Sequence, residues 1–264
     1  MTNALIDPVR LKPLLGKLAS RFDIDALPEA SSSSDLLLER AAKGAASGSV
    51  LVVDRQTAGR GRRGRHWVSS PHHSLTFSVL WRFDGGVERL AGLSLAVGVA
   101  LARALQALGM SGVALKWPND VLLDGRKLAG VLVELSSERR SMLAVIGIGI
   151  NLRPPEVAEQ ALDTPVAAIS DQLPDMPDRH DLLAQVLLEL APVLDVFARD
   201  GFAAWREAWQ ACHAWQGEQV AVLRDGVVQL DGICLGADSD GALLLETAAG
   251  VQRCLSGDLS LRHV

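Results

Sequence analysis

Apolar and polar positions alternate in ways that divide the chain into a long first part and a short tail of different character. Residues 1 to about 20 read as a short helical lead-in. Leu36, Leu37 and Arg40 recur at helical spacing within Ser33 to Ala46, and the preceding serines are placed as N-caps. Val50 to Asp54 (VLVVD) reads as a buried strand, followed by a Gly/Arg-rich loop to Pro71. Ser74 to Phe83 is the next strand, ended by Gly85-Gly86. The spacing then predicts a long helix over roughly Glu88 to Leu108, with Gly109 as C-cap. Strands follow at Val113 to Trp117, Val121 to Leu123, Lys127 to Leu135 and Leu143 to Ile150, with Asp124-Gly125 as a hairpin turn. Residues 153 to 178 are proline-rich and read as a long loop with room for one short helix. Two amphipathic helices are expected at Asp178 to Ala198 and Gly201 to Trp215. From Gln219 to Leu261 short strands alternate with Asp-Gly turns, the pattern of a small β-barrel. The domain boundary is expected near Gln216-Gly217, dividing the chain into 1–215 and 216–264.

Composition narrows the classes. In 264 residues, 48% are apolar, so a sizeable core is available and disorder is not expected. The 24 glycines suggest many turns and a strand-rich or mixed fold. A net charge of −5 gives no global field for nucleic acid, so any anion site must be local. The 3 cysteines are too few for a disulfide framework and have no CxxC spacing, which fits a cytoplasmic protein. The N-terminus lacks a long apolar segment with a cleavage site, and the apolar stretch from Leu90 to Leu108 contains Arg103 and Gln106. That stretch reads as a buried helix, and no membrane partner is expected.

The densest chemical signal is Gly59-Arg60-Gly61-Arg62-Arg63-Gly64-Arg65. Glycine lets backbone N–H groups approach an anion, and arginine forks bind carboxylate or phosphate oxygens in pairs. Like charges repel and glycine is costly to order, so the loop is expected to be mobile until an anion orders it. A solvated basic loop is the bland alternative. The segment also matches GxGxxG, but Pro71 leaves no room for the helix that a dinucleotide fold places next. A second signal is Lys116-Trp117-Pro118-Asn119-Asp120, with Lys127 across a hairpin, where two cations can converge or a turn can simply be solvated. In Gly147-Ile148-Gly149-Ile150-Asn151 the glycines share one strand face, which suits close approach of a ligand or tight packing. Ser31 to Ser34 with Gln56 offers hydroxyls and an amide, a weak signal that also fits ordinary capping. Trp67 and the strand Val131 to Val133 are candidate apolar walls. The histidines lack metal-ligand spacing, and neither a GxSxG elbow nor a Walker lysine occurs.

Together, DRQTAGRGRRGRHW, KWPNDVLLDGRKLAGVLVEL and IGIGIN, in this order, closely resemble the bacterial biotin–protein ligases. The resemblance runs from about Ser31 to Asn151, and the tail ending LSGDLSLR looks like the family's SH3-like C-terminal domain. It implies an α+β fold, a mixed β-sheet flanked by helices like the class II synthetase domain, then the small barrel. It implies activation of biotin with ATP and Mg2+ as biotinyl-5′-AMP, and transfer to a lysine of the biotin carboxyl carrier protein of acetyl-CoA carboxylase. Biotin contacts are implied for Ser32, Ser33, Ser34, Gln56, Arg60, Gly61, Arg62, Trp67 and Lys116. Serine stands where the family motif has threonine and asparagine, at Ser33 and Ser34. Adenylate contacts are implied for Arg62, Arg65, Asn119, Lys127 and Asn151. Lys116, Arg60 and Arg62 are the expected catalytic cations, and Asp120 the base or orienter for the carrier lysine. About 30 residues precede the serine motif, too few for the DNA-binding domain of some family members, so the sequence resembles the monofunctional class and no nucleic-acid partner is expected. A homodimer is compatible with it. The rivals are a lipoate or octanoyl ligase on the same fold and an anion- or nucleic-acid-binding module using the arginine cluster alone.

Overall fold

The structure is a computed structural model, and it describes residues 4–138, 141–154, 165–257 and 259–263. Its centre is a seven-stranded mixed sheet of order β1-β2-β3-β7-β6-β5-β4, with β1 parallel to β2 and every other pairing antiparallel. The strands are β1 (Asp23–Ala30), β2 (Ser49–Gln56), β3 (Ser74–Asp84), β4 (Val113–Lys116), β5 (Asp120–Leu123), β6 (Arg126–Ser137) and β7 (Ser141–Asn151). Helices α3 (Leu93–Ala107) and α4 (Arg179–Asp200) cover one face, and α1 (Pro8–Leu14) packs on α4. Helix α2 (Ser33–Ala42) covers part of the other face.

The two-residue period of the strands explains this layering. In β2, Val50 and Val52 enter the large core under α3 and α4, whereas Leu51 and Val53 enter a smaller core under α2. In β7, Ala144, Ile146, Ile148 and Ile150 take the large core, and Leu143 and Val145 the small one. Continuing that second series along β7 gives Gly147 and Gly149, and along β3 it gives Ser78 and Thr76 beside Leu80. The α2 face therefore changes from apolar to small and polar part-way along the sheet. Burial there removes little apolar area from water, and a cavity takes its place.

After α5 (Arg206–Ala211) comes a five-stranded antiparallel sheet of order β11-β10-β9-β8-β12, built from β8 (Gln219–Arg224), β9 (Val227–Ala237), β10 (Leu243–Thr247), β11 (Gly250–Cys254) and β12 (Ser260–His263). The expected α+β class, a mixed sheet flanked by helices and then a small β-unit, is what forms. The apolar interior of the tail, including Val220, Cys234, Leu243 and Leu261, is continuous with the large core.

Several elements differ from the expectation. Strand β1 is absent from the pattern because Asp23, Asp25, Glu29 and Pro28 make it read as loop; it is an edge strand, where polar residues and proline are tolerated. The long helix begins at Leu93, after a 3-10 turn at Val87–Leu90. Gly92 interrupts with φ 77°, and a Cβ there would lie 2.6 Å from Phe202. The apolar stretch read as a buried helix is one: most of α3 is buried, packed between sheet and α4. The helix expected over 201–215 is a 3-10 turn, Phe202–Trp205, and the short α5. In the expected loop of 153–178, residues 155–164 lie outside the described residues, and Ile169–Asp171 forms a 3-10 turn.

Candidate active site

Two adjoining cavities open on the α2 face, and Gly61, Arg62, Trp67, Asn119 and Lys127 line both. The floor of the inner one is a hydroxyl cluster. Ser32 caps α2 by accepting from Asp35 N at 3.3 Å. Ser33 donates its backbone N–H to Gln56 Oε1 (2.7 Å) and its hydroxyl to the same oxygen (3.2 Å). Ser78 Oγ, from β3, lies 2.7 Å from Ser33 Oγ and 2.9 Å from Ser34 Oγ. All of Ser32, Ser33, Ser34 and Ser78 are buried. The glycines of β7 are required by what covers them. A Cβ at Gly147 would lie 2.8 Å from Ser34 Oγ, and one at Gly149 would lie 2.3 Å from the Trp67 ring. Trp67 lies as a wall on that strand face, and its Nε1 is buried with no hydrogen-bond partner. Gly130, Val131 and Leu132 of the neighbouring β6 also line the cavity.

The outer cavity is organised by charge. Lys116 ends β4 and Asp120 begins β5, directly across the pair, so the intervening Trp117-Pro118-Asn119 turn sets them side by side. Lys116 Nζ lies 3.3 Å from Asp120 Oδ2, and Lys127 Nζ lies 2.6 Å from Oδ1. Each ammonium also faces an aromatic ring, Lys116 over Trp215 at 5.6 Å and Lys127 over Trp67 at 5.7 Å. Burial pulls the Lys116 pKa below its ordinary value against the raising influence of Asp120, and Arg262 and Lys127 pull it further down. Burial works against ionisation of Asp120, but Lys127 and Lys116 outweigh it and hold the carboxyl below the usual carboxylate range. Lys116 and Lys127 thus share one carboxylate with Arg262 nearby, and the surplus positive charge suits an anion.

Two asparagines fix the frame. Asn119 Nδ2 donates to Val131 O (2.8 Å) while Val131 N donates to Asn119 O (3.0 Å), pinning the turn to β6. Asn151 Nδ2 donates to Lys127 O (3.2 Å) and Ala167 O (3.1 Å), holding the backbone that carries Lys127.

The Arg-rich loop roofs both cavities, and the repulsion expected within it is offset by partners. Arg60 pairs with Asp35 (2.5 Å) and Glu134 (2.7 Å). Arg62 donates to Asn119 Oδ1 (3.3 Å), to Ser256 O (2.8 Å) and to Gly257 O. Arg63 pairs with Asp225 at 2.7 Å. Arg65 lines the outer cavity.

The structure therefore gathers the designated serines, Gln56, Gly61, Trp67 and the charged and amide side chains around the two cavities, whereas of the expected wall Val131 to Val133 only Val131 and Leu132 line them and Val133 packs against the large core. Ser78, Glu134, Asp35, Leu261 and Arg262 join them without having been designated. Ser78 left a faint signal, a polar residue at an inward position of an otherwise apolar strand. Leu261 and Arg262 come from the far end of the chain, and no local pattern marks them. Among the described residues no group of three or more His, Cys, Asp or Glu side chains could hold a metal ion.

A mixed sheet with an anion-binding loop over a hydroxyl-floored cleft defines an acyl-activating ligase of the Biotin/lipoate A/B protein ligase family, whose sequence model matches residues 28–151. The Biotin protein ligase C terminal domain matches residues 217–262. The chain is 35% identical to the bifunctional ligase/repressor BirA of Escherichia coli (strain K12), over 98% of this chain and 81% of that protein. It is 40% identical to the biotin–[acetyl-CoA-carboxylase] ligase of Paracoccus denitrificans, over 78% of this chain and 88% of that one. The solved biotin protein ligase from Aquifex aeolicus in complex with biotin and ATP superposes with a TM-score of 0.78 at 31% identity, covering 92% of this chain and 99% of that one. The chain belongs to the biotin protein ligases, ATP-dependent enzymes that attach biotin to protein.

Proposed function

We propose that this chain joins biotin to a lysine of the biotin carboxyl carrier protein of an acetyl-CoA carboxylase, through biotinyl-5′-AMP. The observation that carries this reading is the two-ended cleft, with neutral hydroxyl and amide groups at one end and Lys116 and Lys127 at the other. A ureido group offers one carbonyl acceptor and two N–H donors, and Ser33, Ser34 and Gln56 complement both, with Ser32 fixing the helix end. Trp67, Gly61 and β6 leave an apolar passage for the thiophane ring and valeryl chain. The carboxylate then reaches the cationic end.

There a carboxylate oxygen attacks the α-phosphorus of ATP. The new O–P bond forms as the bond to the β-phosphate breaks, and pyrophosphate leaves. Both reactants are anions, so the step needs fixed positive charge, which Lys116 and Arg62 supply, with Arg60 contributing as it leaves Asp35 and Glu134, and Lys127, Arg65, Asn119 and Asn151 holding the nucleotide side. Mg2+ would accompany the ATP phosphates and neutralise part of their charge. The loop over the product excludes water from a hydrolysis-prone anhydride. In the second step the neutral carrier lysine nitrogen attacks the biotinyl carbonyl carbon, the bond to the AMP oxygen breaks, AMP leaves and the amine proton passes to solvent. Asp120, held ionised by two lysines, is a weak base and acts as the orienter of those ammonium groups. A lipoate or octanoyl ligase would have no use for the hydroxyl floor, and a nucleic-acid module would not commit Arg60 and Arg63 to carboxylates. Three free cysteines support a cytoplasmic location, and the second sheet supports a division into a catalytic unit 1–215 and a small β-unit 216–264.

Incubation with biotin and Mg·ATP, then mass spectrometry, should find biotinyl-5′-AMP on the protein and a biotinyl group on an added carrier domain. Finding neither product, or labelling by lipoate in preference to biotin, contradicts the reading.

A further inference from the structure

The roof of the site is tied to the C-terminal sheet as well as to the cleft beneath it. At its apex Arg63 reaches across to Asp225, in the turn between β8 and β9, with Arg63 Nη2 2.7 Å from Asp225 Oδ1. Asp225 and Gly226 have φ values of 51° and 81°, the two positive values of a tight hairpin turn, so the carboxylate is presented from a rigid corner. Arg63 itself sits at φ 62°, ψ 35°, a left-handed conformation that a residue with a Cβ adopts only at a cost. Its side chain is 15% exposed against 80% for Asp225, so the guanidinium is tucked in while its partner stands in solvent. Arg62, next to it, donates to Ser256 O and Gly257 O in the connection between β11 and β12 and lines both cavities. Lifting the roof away from the site therefore requires the Arg63–Asp225 pair to break.

We propose that Asp225 is a positioning residue: by holding Arg63 it keeps the roof closed and slows the escape of biotinyl-5′-AMP without touching it. This rests on the ligase reading above. Arg63 lines the outer cavity whereas Asp225 lines neither, so removing the Asp225 charge acts on opening and leaves the phosphoryl chemistry alone. An exposed ion pair contributes modestly, which sets the size of the effect.

Asp225→Asn removes the charge and keeps a residue that suits the turn equally well. Wild type and variant are loaded with radiolabelled biotin and Mg·ATP, then chased with excess unlabelled biotin and ATP while labelled adenylate on the protein is followed. Single-turnover pyrophosphate release measures adenylate formation separately. Escape is expected to be about two- to fivefold faster in the variant, with formation unchanged. Added salt should speed escape more from the wild type than from the variant, because only the wild type has this pair to screen while both keep the Arg60 pairs. Arg63→Gln should match Asp225→Asn, and the double variant should be no faster than either alone. Equal escape from wild type and Asp225→Asn, or an additive double variant, overturns the latch while leaving the ligase reading intact. A wild type that holds no labelled adenylate overturns that reading, and the latch with it.

Discussion

Lys116 is the residue on which the proposed chemistry turns. It is buried at a strand end, opposed by Asp120 and capped by Trp215, so its ammonium has little freedom to be replaced by a neighbour. Lys116→Gln keeps length and hydrogen bonding but removes the charge. Adenylation should slow by ~100-fold or more, the scale for losing a preorganised donor at developing negative charge. Transfer from supplied biotinyl-5′-AMP should suffer less, and rapid-quench measurement of each half-reaction separates the two. Equal slowing of both would move the role to Lys127. The same residue predicts a pH limb. A lysine ammonium is charged below its pKa, so adenylation is supported there and lost as pH rises through a value lowered from the ordinary 10.5. Asp120 raises that value. In Asp120→Asn the alkaline limb should therefore move to lower pH, and a limb that stays put or moves upward would contradict the coupling.

Strand β7 shows how one element serves core and site at once. Its isoleucines at 146, 148 and 150 build the large core, and the intervening Gly147 and Gly149 leave room for Ser34 and Trp67 on the opposite face. A methyl group at Gly149 would fall within the Trp67 ring, which must leave, because β7 is paired on both sides and cannot shift. Gly149→Ala is thus expected to expose Trp67, seen as a red shift and quencher access in tryptophan fluorescence. It should also weaken biotin binding, by about 1–3 kcal/mol if the strain of overpacking falls on the bound state. Unchanged fluorescence with unchanged biotin affinity would show that Trp67 is not the wall of the cleft. The shared face of these glycines was legible from their spacing; the ring above them was not, since Trp67 lies on a loop far away in sequence.

The C-terminal sheet and the first part of the chain share an apolar interior, and His213 lies where they meet. Its ring stacks on Trp209 at 4.4 Å, its backbone pairs with Leu115, and Nδ1 is 4.0 Å from Cys234 Sγ of β9. Burial pushes its pKa down from 6.5 to about 4. The folded state then binds fewer protons than the unfolded state between those values, so stability rises with pH across that window and is lost as pH falls from 6.5 towards 4. His213→Phe keeps the stack and removes the titration. The variant should lose up to about 3 kcal/mol less stability than wild type on acidification through that window, as read from denaturant midpoints. Parallel losses in the two proteins would mean that His213 is protonated within the fold.

How much of this protein was legible in its sequence follows from the range of the forces involved. The strand and helix pattern reports local burial, so it located most elements; it failed for β1, whose edge position excuses its charges, and at Gly92, whose left-handed conformation against Phe202 delays the helix to Leu93. The motifs were legible because anion recognition needs particular groups in contiguous order: the Gly/Arg loop, Lys116 with Asp120 across one turn, and alternate glycines in β7. Residues supplied singly by distant segments carried little or no such order. Ser78 completes a hydroxyl cluster begun 44 residues earlier, Arg262 lowers the pKa of Lys116 from the far end of the chain, and Asp225 meets Arg63 across 162 residues. Chemistry written within a few residues was determined by the sequence alone; what completes the hydroxyl floor, and what holds the roof, were decided only when burial brought distant segments into contact.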